Sequence, residues 1–155
     1  MNDRERWHIQ VPTTSRLGPW PLLIEVAQLL PPVSWTLIGG MMVQLHALRA
    51  GVPHPRATTD IDALIHVETG AITYASAARM LASAGFIEHR ALHAAARAHR
   101  FTRGSEVVDV LVADHAAPSV LAHRAVTTAV KAPGGTRALR STVDVSEADR
   151  ARLRD

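Results

Sequence analysis

The spacing of hydrophobic residues changes along the chain, and each change marks the boundary of a predicted element. From Pro21 to Leu30 apolar residues recur at helical spacing, with proline at the start and Pro31-Pro32 beyond the end. Val33 to Ile38 is a short apolar run between prolines and a glycine pair, which is typical of a buried strand. Helical spacing returns from Met41 to Arg49 and stops at Gly51. The pattern therefore predicts one strand between two helices.

Two later segments carry the clearest strand patterns. Thr59 to Val67 alternates with period two, which places Asp60, Asp62 and Leu64 on the face opposite to Ile61, Ala63 and Ile65. Glu106 to Val112 is almost continuously apolar except for Asp109 at its centre. The remaining predictions are a helix over 71–84, strands over 86–92 and 98–102, a helix over 117–128, a strand over 137–145 and a short helix from Ser146.

The order of these elements predicts an α/β (α+β) fold with one mixed β-sheet flanked by helices. The chain has 155 residues, which corresponds to a single domain. We expect an irregular N-terminal segment over 1–20, the folded domain over 21–145, and a short C-terminal helix or tail over 146–155.

Composition excludes several classes of protein. The absence of cysteine excludes a disulfide scaffold, a thiolate zinc site and a cysteine nucleophile. No stretch approaches the roughly 20 apolar residues of a membrane span, and no apolar signal core follows the charged N-terminus. We therefore expect a cytoplasmic protein without membrane contact. Aromatic residues make up only 4% of the chain, which disfavours a base-stacking RNA-binding module despite the net charge of +3.

Three carboxylates occupy positions where an apolar strand does not favour them. Asp60 and Asp62 are two residues apart and share a strand face, so they repel each other unless a cation lies between them. Asp109 interrupts a run of valines and is costly to bury without a partner. If the two strands are neighbours, the three carboxylates converge on one point and form an oxygen-ligand set suited to Mg²⁺ or Mn²⁺.

Each of these features also has a simpler explanation. An Asp-x-Asp pair is commonly a solvated strand face, and Asp109 could pair with Arg56, Arg100 or Arg103. It is the joint occurrence of the pair and the third aspartate that favours a metal site.

Gly39 and Gly40 stand at a strand-to-helix turn, where phosphate can approach backbone amides at the positive end of a helix. We expect these amides to face the carboxylates across a gap wide enough for phosphate. The alternative is a tight turn that needs positive φ. Arg56 and Thr58 directly precede Asp60, and an arginine in that position could hold a triphosphate or remain a solvated loop residue.

Gly39-Gly40, then Arg56-x-Thr58-x-Asp60-x-Asp62, then a later apolar strand with Asp109 resembles the DNA polymerase β-type nucleotidyltransferase superfamily. The arrangement is most similar to its AbiEii/AbiGii-like branch, which includes toxins of type IV toxin–antitoxin systems. The resemblance covers roughly Trp35 to Val112, about half of the chain.

The resemblance implies a reaction and a role for each residue. Asp60, Asp62 and Asp109 would bind Mg²⁺ or Mn²⁺, and Asp109 would also orient or deprotonate an acceptor hydroxyl. The Gly39-Gly40 pair would cradle the phosphates of an NTP, with Arg56 and Thr58 at the triphosphate or bracing the loop. The reaction would transfer a nucleoside monophosphate to an RNA such as tRNA, a protein or a small molecule.

The C-terminal part departs from the family, whose members commonly continue into a helical region with lysines and arginines. Here we expect no helical bundle after Ser146, and Lys131 is the only lysine. The sequence therefore leaves two further possibilities: action together with an antitoxin or partner chain, and a catalytically degenerate domain that serves as an interaction or nucleotide-sensing module.

Overall fold

The computed structural model describes residues 4–11, 19–53, 57–89, 99–116, 122–124, 127–128 and 131–147. The α-helices are α1 (Trp20–Leu29), α2 (Gly39–Ala50), α3 (Tyr74–Ser83) and α4 (Gly135–Ala138). The longer strands are β1 (Arg6–Ile9), β2 (Trp35–Ile38), β3 (Asp60–Ile65), β4 (Ile87–His89), β5 (His99–Arg103), β6 (Glu106–Ala113) and β10 (Asp144–Glu147). Three short strands complete the set: β7 (Ala122–Arg124), β8 (Thr127–Thr128) and β9 (Lys131–Ala132).

The central sheet is mixed, with strand order β2-β3-β6-β5-β4 and β9 paired to the end of β6. Strands β3 and β6 run parallel at its centre, whereas β2, β5 and β4 are antiparallel to their neighbours. The predicted α/β class with a mixed sheet is therefore confirmed. Because β3 and β6 are adjacent, the two aspartate-bearing strands lie side by side.

The main core covers one face of this sheet. Alternate residues of β3 and β6, including Ile61 and Val108, are fully buried there against Val26 of α1 and Leu81 of α3. On the opposite face, the described residues form a small apolar cluster of Leu64, Leu111 and Ala132, with Ile38 and Leu139 packed against it. Asp60, Asp62 and Asp109 lie on this second face because they alternate with the core residues.

The predicted elements from Trp20 to Ala113 have their counterparts in the structure, with shifts of a few residues at their ends. The strand predicted from Val33 begins only at Trp35, because Pro32–Ser34 forms a 3₁₀ turn. Helix α2 ends as predicted at Gly51, whose φ is +65°. Helix α3 begins at Tyr74 behind Thr73, whose side chain accepts a hydrogen bond from the Ser76 amide.

The predictions for the two ends of the chain are partly wrong. Residues 6–9, expected to be irregular, form β1, which pairs in parallel with β10. Trp7 and Ile9 of β1 are buried in the main core, so this strand belongs to the folded domain. Ser146, expected to cap a helix, lies in β10, and residues 148–155 of that predicted helix fall outside the described residues. A four-residue strand whose partner lies at the other end of the chain leaves too little local pattern to detect.

Two internal predictions are also corrected. The helix expected over 117–128 contains strands β7 and β8 instead, in its described part. The strand expected over 137–145 is interrupted, because Gly135–Ala138 forms α4 and extended structure resumes only at Asp144. The amides of Gly134 and Thr136 donate to Asp114, so a long-range cap fixes this helical turn.

Among the described residues, none of the helices combines the length and the apolar composition needed to cross a membrane.

Candidate metal centre

Strand β3 presents Asp60 and Asp62 on the same side. The residue between them, Ile61, and the residue after them, Ala63, are fully buried in the opposite direction. Both aspartates are half-buried, and the small apolar cluster is what packs on their face among the described residues. The period-two pattern is therefore sufficient to place this pair of carboxylates together.

Asp109 joins them through the register of the parallel strands. Asp62 lies directly opposite Asp109, and Asp109 is only 5% exposed. One carboxylate oxygen from each of Asp60, Asp62 and Asp109 lies within 4.8 Å of the others. The predicted convergence of the three side chains is confirmed.

A fourth charged residue, Arg100 of β5, lies beside the three carboxylates. Its Nε donates to Asp109 Oδ1 at 2.9 Å, and its Nη2 donates to Asp109 Oδ2 at 2.7 Å. Of the two candidate arginines that the structure describes, Arg100 is the partner of Asp109. Arg103 pairs instead with Glu25 and Glu106. Arg56 lies outside the described residues, so the structure does not place it.

The sequence contains a signal for the contact between Arg100 and Asp109. Gly104 and Ser105 form a two-residue turn between β5 and β6, with Gly104 at φ +60°. A two-residue hairpin fixes the register of its strands, so Arg103 faces Glu106 and Arg100 faces Asp109. Placing the turn at these two residues would have identified the pair.

Mutual repulsion at the centre is visible in Asp62. Burial and, after it, the charges of Asp60 and Asp109 together raise the pKa of its carboxyl to about 6, while Arg100 opposes them. A divalent cation would remove this repulsion, so the arrangement is one that a cation stabilises.

The glycine pair lies directly against the carboxylates. Asp62 pairs with Ile38, the residue before α2, so the first turn of that helix begins beside Asp62. A Cβ on Gly39 would lie 1.9 Å from Asp62 Oδ2, and Gly39 has φ +70°. A Cβ on Gly40 would lie 2.7 Å from the Thr58 side chain.

Gly39 lies against Asp62, on the same side of the sheet as the carboxylates. The pair therefore has a structural role that the turn alone does not require: it lets the β2–α2 junction approach Asp62. A phosphate-wide gap between the amides at the start of α2 and the carboxylates stays a prediction.

Thr58 braces the approach to the strand. Its hydroxyl donates to Asp60 Oδ1 at 2.8 Å, and its side chain packs against Gly40. Of the two roles that the resemblance implied for Thr58, this geometry matches bracing of the loop. A carboxylate that accepts this bond has its second oxygen available to another ligand.

The donor set fits a hard divalent cation. All three ligands are carboxylates, their oxygens are within 4.8 Å of one another, and two of the three side chains are half-buried and open to a ligand. Oxygen-only sites of this kind select Mg²⁺, Mn²⁺ or Ca²⁺ over the metals that prefer nitrogen or sulfur. Asp60, Asp62 and Asp109 are therefore the residues that would hold the ion.

A cavity of about 430 Å³ opens elsewhere on the described surface. It is lined by Asp114, His115, Gly134, Thr136, Arg137, Arg140 and Ser141. None of the three carboxylates lines this cavity, so the candidate metal centre lies outside it. We favour the carboxylate centre over the cavity as the functional site. The cavity's carboxylate, Asp114, already accepts hydrogen bonds from the amides of Gly134 and Thr136.

The raised pKa of Asp62 predicts a pH dependence of stability without metal. The carboxyl has a folded pKa of about 6 against an ordinary 3.8. The stability that its neutral form contributes is therefore complete below 3.8 and is lost as pH rises through about 6. In EDTA, the free energy of unfolding of Asp62→Asn should equal that of the wild type near pH 3.5. At pH 7.5 it should be higher than that of the wild type by about 1–2 kcal/mol, allowing for solvent screening. Urea unfolding at both pH values measures the difference.

Asp114 provides a control of opposite sign. Its hydrogen bonds with Thr136 and Gly134 lower the pKa of its carboxyl, so it contributes stability above its ordinary pKa that is lost as pH falls. Asp114→Asn should therefore destabilise the protein at pH 7.5. If Asp62→Asn also destabilises at that pH, Asp62 is a structural ion-pair partner and not a repelled carboxylate.

Comparison with known proteins adds no further assignment. No family model, no curated protein and no solved structure matches this chain. The arguments for function therefore rest on the site itself and on the motif resemblance.

Proposed function

We propose that this protein is an Mg²⁺-dependent nucleotidyltransferase that transfers a nucleoside monophosphate from an NTP to a hydroxyl acceptor. The observation that carries the proposal is the convergence of Asp60, Asp62 and Asp109 within 4.8 Å on neighbouring strands. The close approach of Gly39 to Asp62 links the glycine motif to the same centre. The motif resemblance supplies the reaction class.

Each residue has a part in this proposal. The three carboxylates would hold Mg²⁺, which when bound neutralises phosphate charge and lowers the pKa of a coordinated hydroxyl. Thr58 keeps Asp60 in place through its hydrogen bond. Strand β6 holds Asp109 between Asp62 and Arg100. There its carboxylate could orient an acceptor hydroxyl once Arg100 no longer occupies its oxygens.

Metal binding is the first expected result. Mg²⁺ or Mn²⁺ at a hundredfold excess over Kd should stabilise the wild type by about 2.7 kcal/mol, which corresponds to several degrees in Tm. The double variant Asp60→Asn/Asp62→Asn should lose this shift, because two of its three charged ligands are neutral. Differential scanning fluorimetry measures both. An equal shift in the double variant would assign the metal effect to another site.

The transfer assay tests the activity directly. The protein is incubated with each labelled NTP, Mg²⁺ and either bulk tRNA or cell lysate, with EDTA as control. We expect label to appear on one acceptor class with one preferred NTP and to require metal. If Mg²⁺ raises the Tm but does not support transfer from any NTP to tRNA or lysate, the enzymatic proposal is wrong and the metal site stands.

The acceptor and the biological role come from the resemblance alone. We propose RNA such as tRNA first, with protein or small-molecule acceptors as the other arms of the same assay, and a toxin role with an antitoxin or partner chain. Expression in a bacterial host should arrest growth with the wild type and not with Asp62→Asn. Growth arrest by both proteins would mean that toxicity does not need the metal centre.

One observation favours the second candidate, a nucleotide-sensing or interaction module without catalysis. Both Asp109 oxygens already accept hydrogen bonds from Arg100, as in a structural ion pair. A sensor would bind metal and NTP and release the NTP unchanged. Recovery of intact labelled NTP from a saturated complex, with no label on any acceptor, identifies this case.

A further inference from the structure

Arg100 occupies the place where the carboxylate centre needs positive charge. Besides its paired bonds to Asp109, it interacts electrostatically with Asp60 and Asp62. Its side chain is 53% exposed, whereas that of Asp109 is 7% exposed. The arginine can therefore swing into solvent by side-chain rotation, while Asp109 stays fixed in the central strand.

A divalent cation and this guanidinium compete for the same negative charge. Two positive groups at one set of carboxylates repel strongly when they are partly shielded from water. Metal binding to the three aspartates therefore favours the departure of Arg100 from Asp109. Because its stem is anchored on β5, the released guanidinium remains at the edge of the centre.

The edge at which it would remain carries polar groups beside the exposed side chain of Ile87. Thr102 follows two residues later on the same face of β5, and its hydroxyl lies 2.7 Å from Nε2 of His89 on β4. The Thr102 hydroxyl and the His89 ring can both form hydrogen bonds with a charged ligand. A guanidinium beside a metal centre matches the paired oxygens of a phosphate, to which arginine donates two hydrogen bonds.

We propose that Arg100 is an exchangeable counter-ion of the metal centre. It pairs with Asp109 while the carboxylates hold no metal, and it pairs with the triphosphate of the ligand after a divalent cation has bound. The proposal rests on the metal site of the proposed function and not on nucleotidyl transfer. It makes Arg100 a positioning residue that lowers affinity for the bare metal and raises affinity for the metal–triphosphate complex.

These opposite effects define the test. Arg100→Gln should bind Mn²⁺ alone on the order of tenfold more tightly, as measured by EPR of free Mn²⁺. The same variant should bind inorganic triphosphate with saturating Mg²⁺ on the order of tenfold more weakly by calorimetry. The matched control is Arg79→Gln, which removes one charge from an exposed position on α3, on the other side of the sheet. It should change either affinity by less than about twofold.

The outcomes separate the possibilities. Tighter Mn²⁺ binding together with weaker triphosphate binding supports the exchange. Unchanged or weaker Mn²⁺ binding in Arg100→Gln overturns it, since that is the result for an arginine that only holds Asp109 in position. Absence of Mn²⁺ binding in both wild type and variant overturns it together with the metal site. Normal Mn²⁺ binding without nucleotidyl transfer leaves it intact and contradicts only the enzymatic proposal.

Loss of Arg100 could unfold the protein by leaving Asp109 buried and unpaired, so two further measurements keep the test decisive. Arg100→Lys retains the charge without the paired geometry, and its Mn²⁺ affinity should lie at or above that of the wild type. In the wild type, the Nε–H signal of Arg100, assigned by its absence from the Lys variant, should move and exchange faster with water as Mg²⁺ is added. A signal that stays unchanged to saturation overturns the exchange.

Discussion

Asp62→Asn is expected to reduce nucleotidyl transfer by on the order of 10²–10⁴. The substitution keeps the shape of the side chain and removes one charged ligand from the centre that would stabilise the transition state. The folded state should tolerate the change, because Asp62 is repelled by Asp60 and Asp109 and its pKa is raised to about 6. Single-turnover assays with the preferred labelled NTP measure the rate.

The control for this variant is Asp144→Asn, which neutralises an exposed aspartate on β10. It should retain the wild-type rate, since Asp144 contributes nothing to the carboxylate centre. An Asp62→Asn protein that transfers within about twofold of the wild-type rate would show that this carboxylate is not a ligand needed for the reaction. A lower metal-free Tm in the same variant would point to a structural ion pair instead.

Gly39→Ala is the second change with a large expected effect. A left-handed backbone costs a residue with a Cβ about 1–2 kcal/mol, and the added methyl would lie 1.9 Å from Asp62 Oδ2. Asp62 must therefore move, which adds about 1–3 kcal/mol of packing strain. We expect a total destabilisation of about 2–5 kcal/mol together with loss of Mn²⁺ binding. Urea unfolding and EPR of free Mn²⁺ measure the two effects.

Gly51 offers a matched comparison for that experiment. It has φ +65°, close to that of Gly39, and a Cβ there would have nothing within 4 Å. Gly51→Ala should therefore lower the free energy of unfolding only by the cost of the left-handed backbone, about 1–2 kcal/mol. It should leave the Mn²⁺ affinity unchanged. Equal destabilisation by the two substitutions would mean that the contact with Asp62 has no energetic consequence.

Much of the candidate site was predictable because it depends on local pattern. Period-two alternation put Asp60 and Asp62 on one face of β3, since successive side chains of any strand point to opposite sides. The apolar run of β6 required a partner for Asp109, because a buried carboxylate is costly alone. The glycine pair was recognised as a special junction, although its actual reason, the contact of Gly39 with Asp62, was not.

The rest depended on which strands become neighbours. The sequence alone determined the mixed α/β class, the core faces of β3 and β6 and the identity of the three carboxylates, since these follow from residue type and spacing. Only the tertiary structure set Asp62 opposite Asp109, paired Asp109 with Arg100 and not with Arg103, and joined β1 to β10. Those pairings are decided by the summed packing of whole strands, which no short window of sequence contains.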